Sequence, residues 1–373
     1  MKNRINKYFF HEFIRYFTVV LFALTAIIWT IQAVNFLDLV TEDGHAFVIY
    51  IYYSLLNLPK MLTKLIPFSF LLATAFTILK FEKDNELLVL WTSGLNKIHI
   101  VNLIFRISIM VMFFQLLMTS IINPETLKVS RNLLKNSELQ FVSSLLKEKE
   151  FNDTIKGLTI FVNKKNDLNQ YEDIFIRDDK NILSQVSGGS STIFAKTGYV
   201  EEDSKKLVLI DGSIQKTSFE DTAVINFEKT ELNFSGLSTK SISKPKLQEI
   251  STFQIINCLY DKTKSIRNCG THKNQVKEVT IEANKRFGMP FFIPLIALVA
   301  CFLLSSRRER KNYSFYKYLY LFIGFLILMA SEITVRYSGT SLNYTLVYYL
   351  LPLGMFPIVY LYLMKTFKYE NLN

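Results

Sequence analysis

Two lysines, Lys60 and Lys64, stand four residues apart in an otherwise apolar run, and therefore on one face of a helix. Pro59 and Pro67 flank them, and a proline inside a helix removes a backbone hydrogen bond and bends the axis. A cation held in such a tract is expensive and usually functional. Lys128, Arg131 and Lys135 follow the next apolar tract and add a second basic group. Such a rim suits an anionic amphiphile, its phosphate on the cations and its acyl chains between helices. Snorkelling to bilayer phosphates suits the same residues, and for any one lysine it is the simpler reading.

No comparable signal exists for catalysis. The P-loop pattern GxxxxGK[ST] is absent, so ATP has no site of that kind on this chain. HExxH and GxSxG are absent too, and no Cys/His group has metal-ligand spacing, so neither a metal nor a cofactor is expected. The histidines at 11, 45, 99 and 272 are scattered singly. Glu332 and Arg336 form the one acid–base pair at a span end that a lipid-modifying enzyme would need, and a structural ion pair explains them equally well. Cys258 and Cys269 bound the segment CLYDKTKSIRNC; an oxidising compartment would permit a disulfide between them, and two free thiols are the alternative. Cys301 lies in an apolar tract and reads as packing.

The elements that carry these residues follow from hydrophobicity. Crossing a bilayer core takes about 20 apolar residues in a helix. Half of the 373 residues are hydrophobic, and they concentrate in six tracts. These run from Tyr16 to Leu37, Phe47 to Leu79, Ile98 to Ile122, Phe287 to Ser306, Tyr318 to Ser331 and Tyr337 to Met364. The fifth is short, and Lys317 and Glu332 would have to reach toward the interfaces. The first is too long for a removable signal peptide and lacks a cleavage site after it. Lys2, Arg4, Lys7, Lys80, Lys83, Lys97, the basic cluster after span four, and Lys365 and Lys368 fall on one side by alternation. That places both termini in the cytoplasm and the central block outside.

The central block has the composition of a soluble domain. Short strand-like runs recur at Leu158–Val162, Ile174–Ile176, Thr192–Ala195, Leu207–Ile210, Ser213–Lys216 and Ala223–Phe227, with Asp211-Gly212 as a tight-hairpin signal. Helical patterning brackets them, from Pro124 to about Lys149 and from Ser251 to about Arg286. Its charges are nearly balanced, so the net charge of +11 is largely juxtamembrane and gives no nucleic-acid stripe.

A second candidate site is the loop between spans two and three, EKDNELLVLWTSGLNK. Asp84 and Asn85 are N-cap types, Gly94 is a helix-ending residue, and Leu87, Leu90 and Trp91 share one face. Glu86 near the start would add charge specificity. This short helix can dock in a groove of a cytoplasmic partner or float on lipid at the interface, and the spacing serves both.

These residues resemble the LptF/LptG permeases (YjgP/YjgQ family), and more the LptF side. The matching features are Leu58-Pro59-Lys60 with Pro67, Glu86-Leu87 with Ser93-Gly94, Asn123-Pro124, and Glu282, Arg286 and Pro290 entering span four. The resemblance implies a membrane α-helical bundle of six transmembrane helices with an inserted periplasmic all-β jelly-roll-like domain. Its divisions would be 1–122 with a coupling helix near 84–94, 123–286, and 287–373. It implies a non-catalytic subunit of an ABC transporter in the bacterial inner membrane that extracts lipopolysaccharide and passes it to periplasmic jelly-roll bridge proteins. Its partners would be a paralogous permease, in a heterodimer, and a cytoplasmic ABC ATPase. Glu86, Leu87, Leu90, Trp91 and Gly94 would couple to the ATPase. Lys60 and Arg131 fall where family members present basic residues to the lipid phosphates; Lys64, Lys128 and Lys135 join them on charge alone. Span one departs from some members in carrying no lysine at its outer end. A membrane-anchored periplasmic sensor and a lipid-modifying membrane enzyme are the alternatives; the first needs a cytoplasmic output domain, the second a clustered set of acid–base residues.

Overall fold

The computed structural model describes residues 2–41, 47–136, 146, 148–153, 157–166, 170–179, 190–201, 206–217, 222–233, 246–260, 273–305 and 313–370. Two compact units divide the chain: residues 1–30, 58–127 and 246–373 in one, 31–57 and 128–245 in the other.

Twelve α-helices are described. They are α1 (Lys2–Asn35), α2 (Asp38–Thr41), α3 (Phe47–Leu56), α4 (Leu58–Lys83), α5 (Glu86–Thr92), α6 (Lys97–Leu117), α7 (Asn123–Asn136), α8 (Thr252–Tyr260), α9 (Lys273–Gly288), α10 (Phe292–Ala300), α11 (Tyr313–Ser338) and α12 (Leu342–Glu370). Six stretches are long and apolar enough to cross a membrane: Arg4–Val40, Phe47–Lys83, Lys97–Leu134, Val276–Ser305, Phe315–Ser338 and Leu342–Lys368. Each corresponds to one expected tract, except that the sixth begins at Leu342 rather than Tyr337, because the chain up to Ser338 belongs to the fifth. The fifth is longer than its apolar run because Lys317, near its start, is neutralised by Glu82 at 2.7 Å.

Helix α10 is apolar on every face, FIPLIALVA, and all nine residues are buried. A helix without a polar stripe has nowhere to present to water, so it forms the centre about which the first unit packs. Ile293, Ala297 and Leu298 join Phe9, Phe13, Phe70, Ile78 and Phe81 from α1 and α4 in the largest core cluster. By contrast the first, fifth and sixth spans leave most of their apolar surface exposed, including Phe22, Ile27, Phe322 and Leu350. Such surface belongs against lipid or a partner.

In the second unit β1 (Leu158–Lys165), β2 (Gln170–Asp178), β3 (Ser190–Glu201), β4 (Lys206–Thr217) and β5 (Thr222–Asn233) form one antiparallel meander in sequence order. An all-β insert is expected, and the sheet supplies it; a second sheet, as a full jelly roll has, is not formed among the described residues. Ile160, Val162, Ile174, Ile176, Ile193, Ala195, Leu207 and Leu209 make its core face. The opposite face carries a row of rings, Phe161, Phe175 and Phe194, with Phe175 and Phe194 5.2 Å apart.

One line crosses the sheet where pairing is interrupted on every strand: Asn163, Asp173, Lys196, Asp211 and Glu228. Asp173 (φ 52°) and Asp211 (φ 53°) adopt the left-handed conformation there, which Asp tolerates better than most residues. The kink reverses the alternation of side chains, so Tyr171 and Ile174, three apart, both reach the core, as do Leu209 and Ile214. The expected hairpin at Asp211-Gly212 is therefore corrected: the chain does not turn back, and Leu207–Ile210 and Ser213–Lys216 are halves of one strand. Gly212 is required by close approach, since a Cβ would lie 2.2 Å from Phe194 O and 2.5 Å from Phe227 Cζ. The helix expected from Pro124 to about Lys149 does not reach that far, since Leu146 and Glu148 are not helical. It is described to Asn136, and Glu148 is already bridged to Val162.

Candidate functional site

Three prolines in the first unit leave three helix carbonyls without their usual partner, because each lacks the N–H that would bond four residues back. Side chains of neighbouring helices supply the missing donors. Pro67 frees Thr63 O, and Gln115 Nε2 of α6 donates to it at 3.4 Å. Pro124 frees Ser120 O, which accepts the hydroxyl of Thr252. Pro290 frees Arg286 O, which lies 2.9 Å from the Thr119 hydroxyl. Thr119 and Ser120 sit in a π-helical turn, Met118–Ile122, that carries α6 into α7; such turns widen the helix and turn side chains out of the usual register. The bends and their cross-braces surround a pocket.

That pocket encloses about 80 Å³ and is lined by Lys60, Thr63, Lys64 and Pro67 of α4, by Gln115, Thr119 and Asn123, and by Glu282, Lys285, Arg286 and Met289. Gln248, Leu127 and Glu332 complete it. Asn123 Nδ2 donates to Thr63 Oγ1 at 2.7 Å. Arg286, 3% exposed, uses all five guanidinium N–H groups. Nε meets Glu282 Oε1 at 3.0 Å; Nη1 meets Ile250 O and Thr252 Oγ1, both at 2.9 Å; Nη2 meets Leu247 O at 3.1 Å and Gln248 O at 3.3 Å. Its charge is thereby consumed by structure. Lys60, half-buried, and Lys64, exposed, make no ion pair with a carboxylate among the described residues. These two are the cations the pocket can offer to a ligand.

Three sequence features thus converge: the Pro59-Lys60 to Pro67 segment, Asn123-Pro124, and Glu282 to Pro290. The family described as lipopolysaccharide export system permease LptF/LptG matches residues 7–366. The chain belongs to the LptF/LptG permease family. It is also 28% identical over 196 residues to an uncharacterized protein, RP871, of Rickettsia prowazekii (strain Madrid E), an alignment covering 52% of each chain. The chain thus spans about half the length of that curated relative.

In this LptF/LptG permease the loop helix α5 forms where expected, with Leu87, Leu90 and Trp91 on one face as expected. Gly94 (φ +83°) ends it: Leu95 N–H bonds Leu90 O at 3.1 Å and Gly94 N–H bonds Trp91 O at 3.0 Å, a Schellman pair. At the other end Asn85 (φ 59°) makes no side-chain cap; it serves instead as the left-handed residue between α4 and α5. Leu87 is buried, and Leu90 and Trp91 pack on the permease's own core. Leu88 and Val89 face outward, 61% and 64% exposed. The amphipathic stripe lies against the chain's own apolar core, to which α1 and α4 contribute. Glu86 accepts from the Tyr8 hydroxyl at 3.1 Å, Lys80 pairs with Glu12 at 2.9 Å, and Lys97 lies over the rings of Trp91 and Phe367.

The remaining residues distribute as follows. Lys128 (exposed) and Arg131 (half-buried) are on α7, within the second unit; the Lys135 side chain lies outside the described residues. Glu332 pairs with Lys285 at 3.6 Å and not with Arg336, which is exposed. Cys258 is buried on α8 and Cys269 lies outside the described residues. Sequence reasoning missed Gln115, Thr119 and the role of Arg286. The signal for Gln115 was available, since a lone amide in an apolar span is rarely idle.

Proposed function

We propose that the chain is a permease subunit of an ABC transporter, lifting lipopolysaccharide out of the inner membrane and passing it to a periplasmic jelly-roll bridge. The observation that carries the reading is the pocket at the bend of α4, where Lys60 and Lys64 stand without carboxylate partners among the described residues. A phosphate brought to them replaces solvent contacts with charge-assisted bonds while acyl chains keep to the apolar helix faces. Lys128, Arg131 and Lys135 form a second basic group on the same reading, and Cys258 and Cys269 form a disulfide outside the cytoplasm. Both termini lie in the cytoplasm and residues 123–286 in the periplasm.

Energy comes from a separate ABC ATPase, because the chain carries no P-loop. Its groove receives α5, with Leu88 and Val89 as the contact and Glu86 at the rim. Lys80–Glu12 ties the end of α4 to α1, and Lys317–Glu82 ties it to α11. A push on α5 therefore reaches three spans together, as rigid-body closure requires. A paralogous permease completes the cavity, this chain being the LptF-like half.

The test is co-purification of the tagged full chain from its own membranes, with mass spectrometry of bound lipid and protein. Recovery of a second permease, an ABC ATPase and a phosphorylated lipid is expected, with lipid lost in Lys60→Ala/Lys64→Ala. Wild-type levels of lipid in that variant would overturn the pocket assignment, and absence of the ATPase would overturn the transporter assignment.

A further inference from the structure

Among the described residues, two acceptor oxygens at the pocket have no donor. Gln115 gives its amide N–H to Thr63 O, which fixes the nitrogen end of that amide, and its Oε1 is left buried and unpartnered. Asn123 is in the same state. The Thr63 hydroxyl proton goes to Pro59 O, so Asn123 must donate to Thr63 Oγ1 through Nδ2, and its Oδ1 is buried without a partner. Both side chains line the pocket that holds Lys60 and Lys64, and Gln115 as a whole is only 3% exposed. Neither lysine makes a hydrogen bond to them.

A buried acceptor without a donor is a penalty already present in the folded chain, and a group that brings an N–H or O–H relieves it. We infer that this corner of the pocket is a donor-reading subsite, which takes an amide N–H or a hydroxyl that a lipid carries next to its phosphate. The inference rests on the phosphate reading above. N-acylated and hydroxylated lipid phosphates have such donors close to the headgroup. Diacylglycerol phosphates have only ester oxygens there, and an ester oxygen set against these two amides adds an acceptor where a donor is needed. A site built to bond an N–H or O–H rejects analogues that lack it far more strongly than an apolar pocket rejects an extra methylene. The subsite thus selects against a diacylglycerol phosphate, which offers it only ester oxygens, while the lysines attract any phosphate.

The test uses the purified full chain in detergent micelles and two probes with matched acyl lengths, ceramide 1-phosphate and phosphatidic acid. Both present a phosphate monoester; only the first has an amide N–H and a hydroxyl. Affinities are read by native mass spectrometry. Wild type is expected to favour ceramide 1-phosphate by about tenfold, which corresponds to one buried acceptor satisfied. Gln115→Met, of similar length and without an acceptor, is expected to bring that ratio down severalfold. The ratio is the readout because a purely structural effect moves both lipids together. Lys60→Ala is expected to weaken both probes and leave the ratio alone. Equal wild-type affinities, both reduced by Lys60→Ala, would overturn the donor subsite and leave the phosphate reading standing. Binding of neither probe, or binding indifferent to Lys60→Ala, would overturn both.

Discussion

Arg286 offers a quantitative check on how the site is held. Replacing it with Met removes five hydrogen bonds at once. Leu247 and Gln248 are half-buried, so water can replace the donor at their carbonyls and they are left out of the sum. Ile250 O and the Thr252 hydroxyl are sheltered, and each buried partner left unsatisfied costs about 1 to 3 kcal/mol. Glu282 loses the guanidinium that neutralises it in a mostly buried setting, which by itself costs up to about 3 to 5 kcal/mol. Since these effects overlap in one network, the loss expected for Arg286→Met is about 4 kcal/mol in total. Arg286→Lys keeps the charge but has three donors on one atom, and should fall between, at about 2 kcal/mol. Adding Glu282→Gln to Arg286→Met should recover part of the loss, because the stranded charge is then gone. The assay is unfolding of the full chain in mixed micelles titrated with SDS, followed by fluorescence of Trp29 and Trp91. An Arg286→Lys variant within about 0.5 kcal/mol of wild type would refute the argument that five directed bonds, rather than one charge, hold the segment.

Two further outcomes follow from the loop helix and the sheet. Leu87→Ala should cost about 2 to 4 kcal/mol of stability, as for any buried leucine, whereas Leu88→Ser with Val89→Ser should leave stability within about 0.5 kcal/mol and weaken ATPase co-purification; the opposite pattern would mean that α5 presents its other face. Gly212→Ala should destabilise the sheet by about 3 kcal/mol through overpacking against Phe194 O and Phe227, seen as faster proteolysis within β4 and β5, and unchanged proteolysis would mean the strands do not approach as described.

What could be read from the residues was whatever depends on neighbours in sequence. Six spans were legible because crossing a bilayer imposes a length, and Gly94 because a helix end needs a left-handed residue. Asp211-Gly212 misled because the same backbone conformation serves a hairpin and a kink, and only the strand on either side decides which. Leu87, Leu90 and Trp91 were correctly placed on one face, but periodicity carries no sign: it says that a stripe is buried, not against what. The proline positions were visible, while their consequence was not. Which carbonyl a proline frees is arithmetic, but which threonine or glutamine of another helix answers it is decided only when the helices pack.

Those freed carbonyls also bear on the order of assembly. Before the second, third and fourth spans meet, each would enter the bilayer with one backbone oxygen facing hydrocarbon, at a cost of several kcal/mol apiece. In the folded chain the donors come from other helices: Thr63 O is met by Gln115, Ser120 O by Thr252, and Arg286 O by Thr119. Solitary spans are therefore unstable intermediates during biogenesis. Thr63 and Gln115 meet within the first half, but the other two pairs are separated by the whole central insert, so the later half must be synthesised before the third span can come to rest.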